Sequence, residues 1–151
     1  MIERIFIRPP EGEQQVEQHW AQVAAGAGIR GDRYFDAHNE RGQNVTFIEA
    51  EEIEAFAVRH QRTIALSATG RNFVTRGVRL NDLVGKTFTV GGLRFRGVEL
   101  CEPCLGLGEA LSTPTLSPAE VVKQWVHRGG LRADALSSGE LSVGAKFASA
   151  A

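Results

Sequence analysis

The amino-acid sequence predicts a mainly β, α+β fold built on a curved, barrel-like sheet with two or three helices. Three observations carry that reading. Short apolar runs alternate with period two and are punctuated by Gly and Pro, as strands joined by tight turns require. Two segments, 49–60 and 117–129, switch to helical spacing. One strand-like run changes phase midway, the mark of a bulged and therefore curved strand. At 151 residues, without internal repeats or low-complexity tracts, the chain is read as a single domain over 1–151 with one proper core.

Residues 2–8 form a first strand with Ile5 and Ile7 on one face, and Pro9-Pro10 stops it. Residues 14–25 fit a strand or a short helix equally. The glycines of Gly26-Ala27-Gly28-Ile29-Arg30-Gly31 open the longest irregular stretch, which runs to Gln43. Residues 44–48 read as a strand, and Ile53, Phe56, Ala57 and His60 place an amphipathic helix over 49–60. Residues 72–75 make a short strand, and 78–85 a loop containing a turn. Residues 86–90 point Phe88 and Val90 inward, Gly91-Gly92 turns the chain, and 93–100 returns. In that return Leu93 and Phe95 are odd-numbered while Val98 and Leu100 are even, so one apolar face survives only if a residue is inserted; Gly97 is the expected bulge. Ser117-Pro118-Ala119-Glu120 is a capping-box start with Pro at the first helical position. Val121, Val122, Trp125 and Val126 supply the buried stripe, and Gly129 is expected to end the helix. Residues 131–136 and 140–147 are expected to pair as a final hairpin across Ser137-Ser138-Gly139, with Leu141, Val143 and Phe147 on one face.

Composition narrows the function. Seventeen glycines, about 11% of the chain against a usual share of roughly 7%, fit many tight turns. A formal net charge of −1 argues against a nucleic-acid binder. Only three of the 17 basic residues are lysine, which leaves 14 arginines, and guanidinium forks suit phosphate and carboxylate. No apolar run is long enough to span a bilayer. The first 20 residues contain four glutamates and no leader-like apolar core. The expectation is a cytoplasmic protein that engages neither membrane nor nucleic acid, with Cys101 and Cys104 reduced.

The sharpest local feature is Cys101-Glu102-Pro103-Cys104. A thioredoxin-like dithiol needs a βαβ setting that the surrounding pattern lacks. Zinc is not predicted, because His19, His38, His60 and His127 are scattered singly rather than paired at ligand spacing. Three readings stay open: a CxxC thiol redox pair, buried inert thiols in a non-catalytic ligand-binding barrel, or a single working thiolate at Cys104 as nucleophile, persulfide carrier or soft-metal ligand, with Cys101 incidental or a resolving partner. Three arginine-bearing loops could surround such a thiolate. Gly31-Asp32-Arg33 makes a small anion-binding turn, Gly70-Arg71-Asn72 puts a charge beside an amide, and Arg128 and Arg132 flank Gly129-Gly130.

The order of these strings resembles the MOSC domain family, named for the C-terminal domain of molybdenum cofactor sulfurases. The resemblance runs over about 28–147: Gly28-Ile29-Arg30-Gly31-Asp32-Arg33, Asn44-Val45-Thr46-Phe47-Ile48, Gly70-Arg71-Asn72-Phe73-Val74-Thr75, Leu83-Val84-Gly85-Lys86, Pro103-Cys104 and Arg128-Gly129-Gly130-Leu131-Arg132. It implies a MOSC-like β-barrel, with Cys104 as the key residue, either carrying sulfur or ligating the metal of molybdenum cofactor. It also implies that Arg33, Arg71 and Arg128 meet the cofactor phosphate, and that Asn72 and Thr75 meet its pterin edges. Some relatives reduce N-hydroxylated compounds with an external electron donor, which gives a second expected activity; a sulfur carrier would instead need a cysteine desulfurase or another sulfur donor. The additional barrel or redox extension of those reductases finds no room in this chain, and pyridoxal phosphate, which belongs to a separate sulfurase domain, is not predicted. Two departures stand out: Gly144-Ala145 replaces the family's usual Gly-Asp, and Cys101 lies outside the motif.

Overall fold

The computed structural model describes residues 1–12 and 14–148. Ten strands form two sheets. The larger has the order β2-β1-β6-β5-β9-β8-β7, from β1 (Ile2–Ile7), β2 (Val16–Gln18), β5 (Val45–Glu49), β6 (Phe73–Thr75), β7 (Thr87–Val90), β8 (Leu93–Leu100) and β9 (Leu131–Ala135). The smaller has the order β10-β3-β4, from β3 (Trp20–Ala24), β4 (Gly28–Ile29) and β10 (Gly139–Ser142). All pairings are antiparallel except β5 with β6. The large sheet curls, and residues 144–148 fill the gap between its β1 and β7 sides. Ile2 N donates to Ala145 O (2.8 Å) and Gly144 N to Ile2 O (2.7 Å), while Gly91 N donates to Lys146 O (3.0 Å) and Ala148 N to Thr89 O (2.9 Å). The mainly β, barrel-like α+β fold is therefore present, with three α-helices.

The central strands explain both layers of the core. Adjacent residues of a strand point to opposite faces, and in Ile5-Phe6, Phe47-Ile48 and Phe73-Val74 both members are buried. Ile5, Phe47 and Phe73 turn into the barrel, where Phe47 packs edge-on against Phe88 and Phe95 at ring separations of 5.6 and 5.4 Å. Phe6, Ile48 and Val74 turn outward under the helices α1 (Ala50–Arg59), α2 (Leu105–Leu111) and α3 (Pro118–Gln124), meeting Ile53, Phe56, Leu111, Val121 and Trp125. Among the described residues no helix is long and apolar enough to cross a membrane.

The predicted bulge is present: the β8–β9 register shifts between Gly97 and Glu99. A Cβ at Gly97 would lie 2.1 Å from Leu83 O, so the bulge is also where the 3-10 turn Leu80–Leu83 presses onto the sheet. The undecided segment 14–25 is two strands separated by His19, and 78–85 contains that 3-10 turn.

Three expectations are corrected. The final hairpin does not form, because β9 is already paired on both edges by β5 and β8. Ser137 and Ser138 accept from Arg94 N and Ala25 N (both 2.8 Å), and the chain crosses to pair β10 with β3. Val143 is accordingly exposed while Leu141 is buried. Gly129 does not end α3: the helix stops at Gln124, Trp125 is the C-cap, and His127 takes the left-handed conformation (φ 62°). Val126 lies beyond that end and is exposed, so the buried stripe is Val121 and Trp125. Ser117 does cap the N-terminus, its side chain accepting from Glu120 N at 3.2 Å. The third helix, α2, contains Gly106 and Gly108, which depress helix propensity. Gly108 lets α3 approach, since a Cβ there would meet Pro118 O at 2.7 Å.

Candidate functional site

Cys104 stands where β8 gives way to α2. Cys101 N donates to Gly130 O (2.7 Å), which buries the first thiol against β9. Glu102-Pro103 then carries the chain outward, and Cys104, extended at φ −113°, ψ 174°, becomes the N-cap of α2. Its thiol is exposed. The Leu107 backbone N–H, helped by those of Gly106 and Cys104 itself and by the Arg71 guanidinium, holds the Cys104 thiol below its ordinary value against the opposing effect of burial. Cys101 is the reverse: burial pushes its thiol up, opposed by Arg71 and Arg132. Against the open readings, the structure gives one buried thiol and one exposed thiol disposed to ionise.

Cys104 opens onto a cleft of about 230 Å³ walled by Arg8, Arg33, Arg71 and Arg132, with Asp32 and Asn72 in its lining. Arg71 is fixed by donating Nε to Gly129 O (2.9 Å) and Nη1 to Thr69 O (3.3 Å). Gly129 is buried because that seam is tight: a Cβ there would lie 2.2 Å from Cys101 O. The Arg33 guanidinium lies over the Tyr34 ring, 4.5 Å from its centroid. Among the described residues Asp32 is the one acid in the lining. Its carboxylate accepts from Arg8 N (2.9 Å) and Tyr34 N (3.3 Å), so it organises the wall more than it neutralises it.

Of the residues expected to form the site, Cys104, Arg33 and Arg71 share the cleft. Asn72 also lines it, but its amide is fully committed. Oδ1 accepts from Thr46 N (3.1 Å) and Thr46 Oγ1 (3.2 Å), while Nδ2 donates to Phe6 O (3.1 Å) and Asp32 Oδ1 (3.5 Å). Asn72 therefore ties β1, β5 and the Asp32 loop together. Thr75 is wholly buried, pairs with Glu49 in the parallel β5–β6 ladder and donates Oγ1 to Ile48 O (3.2 Å), outside the lining of the Cys104 cleft. Arg128 points elsewhere, its Nη1 3.5 Å from Glu52 Oε2 beside a recess of about 10 Å³, room for one water. Arg8 and Arg132 also line the cleft. Arg8 reads as the end of a strand, and Arg132 as part of a cationic cluster after a helix; only the sheet order brings them to one wall.

A curled barrel-like α+β domain with an ionisable thiol at the mouth of an arginine-lined cleft is the class that fold and site define. The MOSC domain family model matches residues 35–148, and the chain belongs to the MOSC domain family. The Gly28–Arg33 string precedes the matched span. The fold is similar to the YuaD protein from Bacillus subtilis (TM-score 0.81, 19% identity, covering 97% of this chain and 92% of that one). It is also similar to YiiM from Geobacillus stearothermophilus (TM-score 0.74, 17% identity, 97% and 73% covered) and YiiM from Escherichia coli (0.68, 18%, 100% and 71%). No curated protein matches the chain in sequence.

The donor set suits the family's cofactor. Among the described residues no three His, Cys, Asp or Glu side chains gather to hold a metal ion. A metal here would take one soft protein thiolate, Cys104, and bring its remaining ligands with it. Arg8 also lines this cleft, and among the described residues its Nε is buried without a hydrogen-bond partner.

Proposed function

We propose that this chain binds molybdenum cofactor, or a sulfurated derivative of it, in the arginine-lined cleft and presents or passes sulfur through Cys104 Sγ. The observation that carries this reading is the exposed Cys104 thiol, lowered toward thiolate, opening on a cleft walled by four arginines. When bound, the cofactor supplies a dithiolene-held metal that accepts sulfur or thiolate ligands. The chain supplies the cations that receive an anionic ligand and the nucleophile. The Cys104 thiolate attacks the terminal sulfur of a donor persulfide, such as that of a cysteine desulfurase. A new S–S bond forms at Cys104, the donor S–S bond breaks, and the donor cysteine leaves as thiolate, with no net oxidation or reduction. Arg71 stabilises the anionic sulfur before and after transfer.

Incubating the protein with a cysteine desulfurase and cysteine, followed by intact mass measurement, tests this. A labile gain of one sulfur, absent in Cys104→Ser, is expected; no gain, or its retention in Cys104→Ser, refutes the carrier role. A second reading, reduction of N-hydroxylated compounds with an external electron donor, rests on the same thiolate acting as the single protein metal ligand. Co-expression with the cofactor pathway then gives molybdenum in the wild type and a loss of it in Cys104→Ala; equal contents refute thiolate ligation.

A further inference from the structure

We propose that an exposed arginine face beside the Cys104 cleft, carried by Arg41, Arg94 and Arg96, docks the sulfur-donating protein and selects a donor whose persulfide-bearing cysteine is ringed by acidic side chains. The inference rests on Cys104 receiving sulfur from another protein, and it adds the surface that brings the two together.

Strand periodicity creates the face. Phe88, Val90, Leu93 and Phe95 turn into the barrel, so Arg94 and Arg96 of β8 turn outward. The helical layer packs over Phe6, Ile48 and Val74, and both arginines stay exposed. Next to them is an open hollow lined by Arg41, Arg96, Asp134 and Leu136. Leu136 is an exposed apolar contact point, and arginines around such a point are the composition of a protein-binding surface.

The hollow adjoins the reacting thiol. Asn44 lines both the hollow and the Cys104 cleft. Arg132 of the cleft and Asp134 of the hollow stand two residues apart on one face of β9, about 7 Å along the strand. A protein seated on the hollow is therefore beside the cleft, and a short loop from it brings a persulfide to Cys104. There the donor S–S bond breaks as the new S–S bond forms at Cys104, and the donor cysteine leaves as thiolate.

Charge decides the kind of partner. Asp134 Oδ1 accepts from Gly42 N (2.7 Å), and Glu99 Oε1 lies 3.8 Å from Arg132 Nε, so these acids already have partners within the chain. Among the described residues Arg41, Arg94 and Arg96 form no ion pair. Glu40, at the margin of the hollow, is one acid against three guanidinium groups. With the whole chain at a formal net charge of −1, attraction of an acidic protein is local to this face, while a long polyanion such as RNA meets net repulsion.

Persulfide formation at Cys104 of the full chain is timed by mass spectrometry with two donors. One is a cysteine desulfurase, supplied with cysteine, that has acidic residues around its persulfide cysteine; the other is glutathione persulfide, too small to span the face. In Arg41→Glu/Arg94→Glu/Arg96→Glu the desulfurase rate at low salt should fall about tenfold or more, while the rate with glutathione persulfide stays within about twofold of wild type. Added salt should slow the wild-type desulfurase reaction and leave the glutathione persulfide reaction unchanged. The corresponding triple Gln variant should show a smaller fall in the same direction, and it replaces the charge reversal if that lowers the thermal midpoint. Unchanged desulfurase rates in both variants, an equal fall with both donors, or transfer from glutathione persulfide with none from the desulfurase overturns the docking face. A wild-type dimer lost in the variants, which gives the face to a second copy, or RNA that displaces the desulfurase at physiological salt, also overturns it. Absence of transfer from either donor refutes the sulfur-carrier reading itself, so the two failures are distinguished.

Discussion

Cys104 and Asn72 show how differently two site residues read in sequence. Pro-Cys marks the thiol directly, and its helix-cap setting gives a pH prediction. Because the folded environment favours the thiolate, alkylation of Cys104 should rise with pH and reach half its maximum at a lower pH than for a cysteine in the unfolded chain. Arg71→Gln should move that midpoint upward and slow alkylation at neutral pH by roughly two- to fivefold. A midpoint matching the unfolded chain, read by mass spectrometry at Cys104, would count against the assignment. Asn72 is legible as polar and near the site, but not as a brace, since its four partners come from Phe6, Asp32 and Thr46, all distant in sequence. Asn72→Ala should leave the Thr46 and Phe6 polar groups unpaired and cost about 2–4 kcal/mol in denaturant unfolding; a cost below about 0.5 kcal/mol would show that water replaces it.

Elements whose partners lie next to them in the chain were the legible ones. The β7–β8 hairpin, its Gly91-Gly92 turn and the α3 N-cap all follow from local chemistry. The pairing of β10 with β3 did not, because β9 is occupied on both edges by residues 45–49 and 93–100, outside any local window. α2 was hidden by its glycines, whose value is close packing rather than propensity. Two substitutions probe this scale. Ser117→Ala should remove one cap bond and lower stability by about 1 kcal/mol. Gly97→Ala should cost more, about 3 kcal/mol, because a Cβ at the bulge collides with the backbone of Leu83 rather than with a movable side chain. Thermal melts of the two variants should rank in that order; equal midpoints would mean that the 3-10 turn gives way freely.

Across the whole molecule, the double burial along β1, β5 and β6 joins the aromatic barrel interior to the helical layer, so neither can loosen alone. Phe47→Ala, which removes the ring meeting Phe73, Phe88, Phe95 and Phe147, should cost about 3–5 kcal/mol and lower the barrel and helix signals in a single transition. Separate transitions by near- and far-ultraviolet circular dichroism would contradict that coupling. The sequence carried the fold class through its strand periodicity, while the membership of the cleft depends on sheet order and so emerged only in three dimensions. The seam at Gly129 and Gly130 also sets a timetable for the newborn chain. Cys104 is synthesised before the residues that supply the carbonyls for Arg71 and Cys101 and before β9, the partner of β8. On the ribosome the thiol therefore emerges before the wall beside it is finished, and the arginine-lined cleft is complete only once residues 129–132 have been made and folded back.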